Sequence, residues 1–226
     1  MKAVIVADII SSTSFPVAQL MAIQEELKQF VDEQEKWFQE QGHVFWGRVV
    51  RGDTLECYMD DAHYALRVAL LLKLRILLHH ADSSAGKQQK KNGIRVAIGV
   101  GEMRVTDPVR DILDGEAIYL AGRELDGQHT AGKEKVSIKR TLFYASPKRE
   151  ESRSLSLLLE CVDLLLRKAT DMQRVVIYNK LLGKKEAEIA KMLGKSIPTV
   201  NSKSVLSGWN AISDIVNYYE KEIYPL

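Results

Sequence analysis

The sequence predicts an α+β fold, with strands and helices mixed over residues 1–148 and only helices over residues 149–226. Three observations predict it. Short β-branched or alternating apolar runs recur between helical patterns as far as Ala145. The β signal then stops, and every later apolar pattern has helical spacing. The change coincides with a polar, charged stretch at 146–154, Ser-Pro-Lys-Arg-Glu-Glu-Ser-Arg-Ser, which reads as a linker.

In order, residues 2–7 are an apolar run rich in β-branched side chains (Val4, Ile5, Val6), suited to a strand buried on both faces. Residues 16–41 follow as one amphipathic helix, with Leu20, Ile23, Leu27, Phe30, Val31 and Phe38 at helical spacing. Pro16 stands in its first turn and Gly42 ends it. Residues 43–51 and 54–59 are β patterns joined at Gly52-Asp53, a hairpin signal. A second helix covers 60–79, a polar loop 80–93, and an alternating strand 94–100. Residues 102–115 read as irregular, 116–126 as a short helix and 136–145 as a last strand. The first six elements, β-α-β-β-α-β, have the ferredoxin-like order, an antiparallel sheet with helices on one face. Helices follow at 155–168 and from Thr170 (with Gln173 completing a capping box) to Gly183, and two more are split at Gly194.

Composition excludes several classes. A chain of 226 residues with 46% hydrophobic and 27% charged residues can bury a globular core, and its net charge of +2 singles out no partner. Cys57 and Cys161 lie far apart inside apolar patterns and read as core thiols in a reducing compartment. The amino terminus lacks a signal-peptide pattern, and the longest apolar run, 65–78, is broken by Arg67, Lys73 and Arg75. A cytoplasmic protein with no membrane span is expected.

Two aspartates carry the chemistry. Asp8 ends the first strand, ahead of a hydroxyl-rich turn (Ser11, Ser12, Thr13, Ser14) and a helix amino terminus, and Asp53 sits at the hairpin tip. A ferredoxin-like sheet lays that hairpin beside the first strand, so the two carboxylates converge where they can hold one or two Mg²⁺ ions. The alternative is that each merely caps a strand or turn.

With these residues in order, the chain resembles the catalytic domain of class III nucleotide cyclases over about residues 1–145. Asp8-Ile9-Ile10-Ser11-Ser12-Thr13 is similar to that family's D-I-x-G-[ST]-T, with Ser11 replacing its glycine. Arg51-Gly52-Asp53 resembles the second metal motif, Ile98 to Glu102 a shortened I-G-x-x-x-G, and Gly115 to Arg123 the G-x-x-V-N-x-A-x-R segment. The resemblance implies that Asp8, Asp53 and the Ile9 carbonyl hold metal. Ser12 and Thr13 would meet a triphosphate, and Arg123 would be the catalytic residue steadying the transferring phosphate across a dimer. It also exposes departures. The base-selecting lysine falls on Val49, the transition-state asparagine on Tyr119, and the base-contacting acid on either Asp111 or Asp114. Such a site is expected to bind better than it catalyses.

Residues 184–209 carry a second pattern. Ala190, Gly194 and Val200 have helix-turn-helix spacing, Ser196 can cap the second helix, and Pro198 sits in its first turn. That helix, with Gly208 inside it, exposes Thr199, Asn201, Ser202 and Lys203 to DNA. From Arg167 to Lys203 there are nine Lys or Arg against three acids. An αα-hairpin with a solvated basic face is the alternative. The stripe Trp209, Ile212, Val216, Tyr219, Ile223 either packs on the preceding helices or pairs subunits. The order of the two parts also resembles the SatD family. The expected function is a homodimeric transcriptional regulator with a degenerate nucleotide- and metal-binding sensor and a DNA-binding tail. The competing readings are an active enzyme on nucleoside triphosphates whose terminal helices serve oligomerisation, and an interaction scaffold.

Overall fold

The computed structural model describes residues 1–10, 12–50, 52–82, 93–127 and 140–226. Its centre is β1 (Lys2–Ile9), whose residues 3–7 are buried on both faces. Strands β2 (Phe45–Val50), β3 (Thr54–Met59), β4 (Ile94–Gly101) and β7 (Leu142–Ala145) complete a sheet of order β2-β3-β1-β4-β7. All pairings are antiparallel except β4 with β7.

Alternation along β1 sorts the core. Ala3, Ile5, Ala7 and Ile9 face α1 (Val17–Glu40) and α2 (Ala65–Asp82), whereas Val4 and Val6 face α3 (Glu116–Asp126). Among the first six elements, both helices thus lie on one face of an antiparallel order β2-β3-β1-β4, as expected, and the later helix α3 covers the other face. Small residues make the second layer possible, because a Cβ on Gly99 would lie 2.0 Å from the Ala117 carbonyl oxygen. The added strand β7 pairs parallel with β4 at the sheet edge. It returns after the α3 crossover, the connection that parallel neighbours need.

Other boundaries move. Residues 102–115 are not irregular but hold a separate hairpin, β5 (Met103–Asp107) and β6 (Ile112–Gly115). No residue of β5 is buried and β6 is only four residues long, so burial wrote little alternation into them. Asp107 fixes the turn by accepting from the Val109 and Arg110 N–H groups at 3.0 Å each. Asp111 takes the left-handed region at φ 57°, which Asp tolerates better than most residues. The second helix opens with a 3₁₀ turn (Ala62–Tyr64) capped by Asp61 and runs on to Asp82, past the expected loop start. Within the expected strand 136–145, residues 136–139 lie outside the described residues and regular pairing begins at Leu142.

The expected linker is a correction as well. Residues 149–154 are already the first turns of α4 (Arg149–Lys168). The Ser146 N–H donates to the Ser152 hydroxyl at 2.6 Å, and Glu150 and Glu151 suit the positive end of the helix dipole. Charge that resembled a linker is helix-start chemistry. Cys57 is buried as expected, and burial pushes its thiol pKa up. Cys161 is exposed, because it falls between the inward positions Leu159 and Val162 of α4.

The remaining helices are α5 (Asp171–Leu181), α6 (Glu186–Leu193), α7 (Ile197–Leu206) and α8 (Trp209–Tyr218), then a π-helical turn (Tyr219–Ile223). The capping box at Thr170 and Gln173 forms as expected. Gly208, at φ 73°, separates α7 from α8, so it lies between two helices and not inside one. Ile212, Val216 and Tyr219 are buried in the core shared with β1, α1, α2 and α4, which assigns that stripe to intramolecular packing. Lys73 of α2 and Asp163 of α4 form a buried ion pair at 3.2 Å. Among the described residues, no helix is long and apolar enough to cross a membrane.

Candidate functional site

The sheet end that carries Asp8 is built by backbone pairing. Asp8 stands opposite Thr54 on β3 and Arg95 on β4, and the Ile9 N–H donates to the Asp53 carbonyl at 3.0 Å. The β2–β3 hairpin thus lies beside the end of β1, and Asp8 and Asp53 share one edge of the sheet. Gln24 of α1 secures the hairpin by donating to the Gly52 carbonyl at 2.7 Å.

Each carboxylate already has partners. Arg95 grips Asp8 with two guanidinium nitrogens, Nε to Oδ1 at 2.9 Å and Nη2 to Oδ2, a fork-to-fork pair. Asp53 accepts the Ser12 hydroxyl at 2.5 Å and the Thr54 hydroxyl at 3.4 Å. Ser12 is buried and Thr13 exposed in a 3₁₀ turn (Ser12–Ser14) that leads into α1. Asp53 and the Ile9 carbonyl are hard oxygen donors of the kind Mg²⁺ takes. The Asp8 carboxylate, however, already has a cation on it. A metal shared by both aspartates would have to displace Arg95, so the set as it stands does not fit that ion. Among the described residues, no group of three or more His, Cys, Asp or Glu could hold a metal.

Arg123 lies elsewhere. With Glu116, Tyr119 and Leu120 it forms the outer stripe of α3, and it lines a cavity of about 380 Å³ with Glu102 and Arg104. Neither Asp8 nor Asp53 lines that cavity. The Tyr119 hydroxyl donates to Asp114, and Arg104 bonds the same carboxylate at 2.7 Å. The Tyr119 bond first, then Arg104, holds the Asp114 carboxyl below its ordinary range. Asp111 instead pairs with Arg48 at 3.1 Å. Val49 packs against the apolar core, leaving that position no polar group with which to read a base.

At the other end of the chain, Gly194 takes the left-handed region (φ 61°) after α6, and the Ser196 hydroxyl caps α7. Val200 is buried against Val176, Ile189 and Ala190, which fixes the α6–α7 crossing. Thr199, Asn201 and Ser202 are exposed and Lys203 is half-buried. Thr199 shares a hydrogen bond with Ser196 at 2.8 Å, and Asn201 donates to Glu186 at 3.2 Å. Glu186 is held in turn by Lys180 at 2.6 Å, a bond that depresses its carboxyl pKa. Part of the basic surplus is neutralised in the same way, Arg174 by Asp171 at 3.0 Å and Arg167 by Asp163 at 3.4 Å.

A third feature had no sequence signal. A cavity of about 480 Å³ opens between α1, α2, the turn after α5 and the carboxy-terminal π-helical turn. Its walls come from residues some 150 positions apart, such as Arg67 and Glu220, and no local motif announces them.

Neither a protein-family model nor a curated protein matches the sequence. Two chains of bacterial light-regulated adenylyl cyclases overlap the structure at TM-scores of 0.43 and 0.40, each at 16% identity and over 63% of this chain. The overlap spans 42% of the first cyclase chain and 74% of the second, so this chain covers less than half of the former. The resemblance to class III cyclases rests on the motifs quoted above, and that to the SatD family on the order of the two parts and the opening Asp8-Ile9 motif.

Proposed function

We propose that the protein is a homodimeric regulator in which a degenerate, ferredoxin-like nucleotide-cyclase-like unit (1–148) binds nucleotide and a helix-turn-helix in 149–226 contacts DNA. The observation that carries the reading is the α6–Gly194–α7 arrangement, with Val200 inside and Thr199, Asn201 and Ser202 outside. Loss of a base-reading group at Val49 and retention of Ser12, Thr13 and Asp53 support a sensor over a catalyst. In this reading Mg²⁺ meets only Asp53 and the Ile9 carbonyl while Arg95 holds Asp8.

The enzymatic alternative draws on Arg123 and Arg104 sharing a cavity, which suits an anion supplied with metal by a second subunit. Incubation with ATP or GTP and Mg²⁺ or Mn²⁺, followed by product analysis, separates the two. Cyclic nucleotide formed at a rate that Asp53→Ala removes would replace the sensor reading. For DNA, affinity should fall steeply with salt, and Lys203→Ala should weaken all sequences alike and lower the salt slope by about 1. Retention on DNA that ignores salt would refute the electrostatic contact. Sedimentation with and without nucleotide should show a shift toward dimer that Arg123→Ala abolishes.

A further inference from the structure

We propose that the 480 Å³ cavity between the sheet-side helices and the carboxy-terminal helices is a binding site for a small, uncharged, planar heteroaromatic molecule bearing an amide or lactam edge. The site lies apart from Asp8, Asp53 and Arg123, and it depends on neither nucleotide nor DNA binding.

Its volume falls in the range of about 300–1,000 Å³ typical of small-ligand pockets. The decisive residue is Gln34 of α1. Gln34 lines the cavity with only 8% of its surface exposed, and among the described residues its carboxamide has no hydrogen-bond partner. Its amide atoms are not sealed from solvent, so the carboxamide faces the cavity and a complementary ligand edge would take the place of water there. The carboxamide offers one acceptor and two donors side by side, which a lactam or carboxamide edge matches.

The neighbouring walls select a flat ring. Trp37 and Tyr64 meet edge to face, centroids 5.3 Å apart, and both line the cavity. Val68 and Leu71 supply the apolar floor. His63 adds a second polar point. Its Nδ1 lies 2.8 Å from the Tyr224 carbonyl, which can only accept, so Nδ1 carries the hydrogen and Nε2 of the neutral ring is an acceptor.

Charge excludes ions. Arg67 is committed to Glu220 through two bonds of 2.7 Å and to the Leu181 carbonyl through a third. Glu33 is gripped by Arg75 at 2.8 and 3.1 Å. An ionic ligand would find no unpaired counter-charge here and would lose its hydration for nothing. A neutral ligand keeps both pairs intact.

The test uses the full chain with nicotinamide, uracil and hypoxanthine as neutral probes and nicotinate as the charged counterpart of nicotinamide. The indole N–H resonance of Trp37, identified by Trp37→Phe, reports occupancy without DNA or triphosphate. At least one neutral probe should shift that resonance saturably, nicotinate should bind at least about tenfold more weakly than nicotinamide, and Gln34→Met should weaken the neutral probe about tenfold. The proposal is overturned if no neutral probe perturbs Trp37 at millimolar concentration, if nicotinate equals nicotinamide, or if folded Gln34→Met binds like the parent. The nicotinamide–nicotinate comparison on the unmodified protein stands whether or not the Gln34 variant folds.

Discussion

At the level of single residues, the pairing of Asp8 with Arg95 changes what the amino-terminal motif can do. A carboxylate in a bidentate arginine pair has its charge neutralised and its oxygens occupied. Freeing it should add a second carboxylate to the one that Asp53 offers an ion. Arg95→Ala is therefore expected to give a larger thermal stabilisation by Mg²⁺ than the unmodified chain shows. Asp8→Ala on top of it should erase the gain. Equal Mg²⁺ shifts in parent and variant would mean that Asp8 does not govern metal affinity. The aspartates were legible in the sequence, as was their shared sheet edge, because hairpin and strand order follow from periodicity. Arg95 was not. It lies 87 positions from Asp8, and only the β1–β4 register sets the two side by side.

Elements show the same division between local and distant causes. The α1 and α3 boundaries, the Thr170 capping box and the Ser196 cap were readable from spacing and caps, which act over a few residues. The β5–β6 hairpin was not, since β5 buries no residue and β6 has only four, too little inward-facing surface to leave an alternating pattern. The seating of α3 on the sheet also escaped, although Gly99 was the hint. A methyl group at Gly99 would collide with backbone, 2.0 Å from the Ala117 oxygen and 2.7 Å from the Ala121 nitrogen, and backbone cannot turn aside as a side chain can. Gly99→Ala should lift α3 and destabilise the protein by several kcal/mol, a cost on the scale of core overpacking or more. Chemical denaturation measures it directly. A midpoint unchanged from the parent would show that α3 can slide without penalty. Gly122, with nothing within 4 Å of its would-be Cβ, is the matched control and should accept alanine.

For the molecule as a whole, the buried Lys73–Asp163 pair joins the sheet side to the carboxy-terminal helices. Burial alone would raise the Asp163 carboxyl pKa, but Lys73, two bonds from Thr141 and nearby Arg167 outweigh it and hold the carboxyl below its ordinary range. Burial pulls the Lys73 ammonium down in turn. Below the ordinary aspartate pKa of about 3.9, the unfolded chain takes up a proton that the folded chain refuses. The contribution of Asp163 is thus present above about pH 4 and lost as pH falls through the lowered folded value. Asp163→Ala should cost about 3–5 kcal/mol at neutral pH by stranding Lys73, and should flatten the acid limb of a stability–pH profile. An acid limb identical to the parent's would assign the pH dependence to other carboxyls. The same pair bears on how the gene can be cut. A chain stopped after residue 148 would leave an ammonium in an oily wall and bare the flank of α2, whereas the helices alone would keep only Arg167 to answer the Asp163 carboxylate. Expressed separately, the two pieces should be insoluble or protease-sensitive, and expressed together from two reading frames they should find each other again.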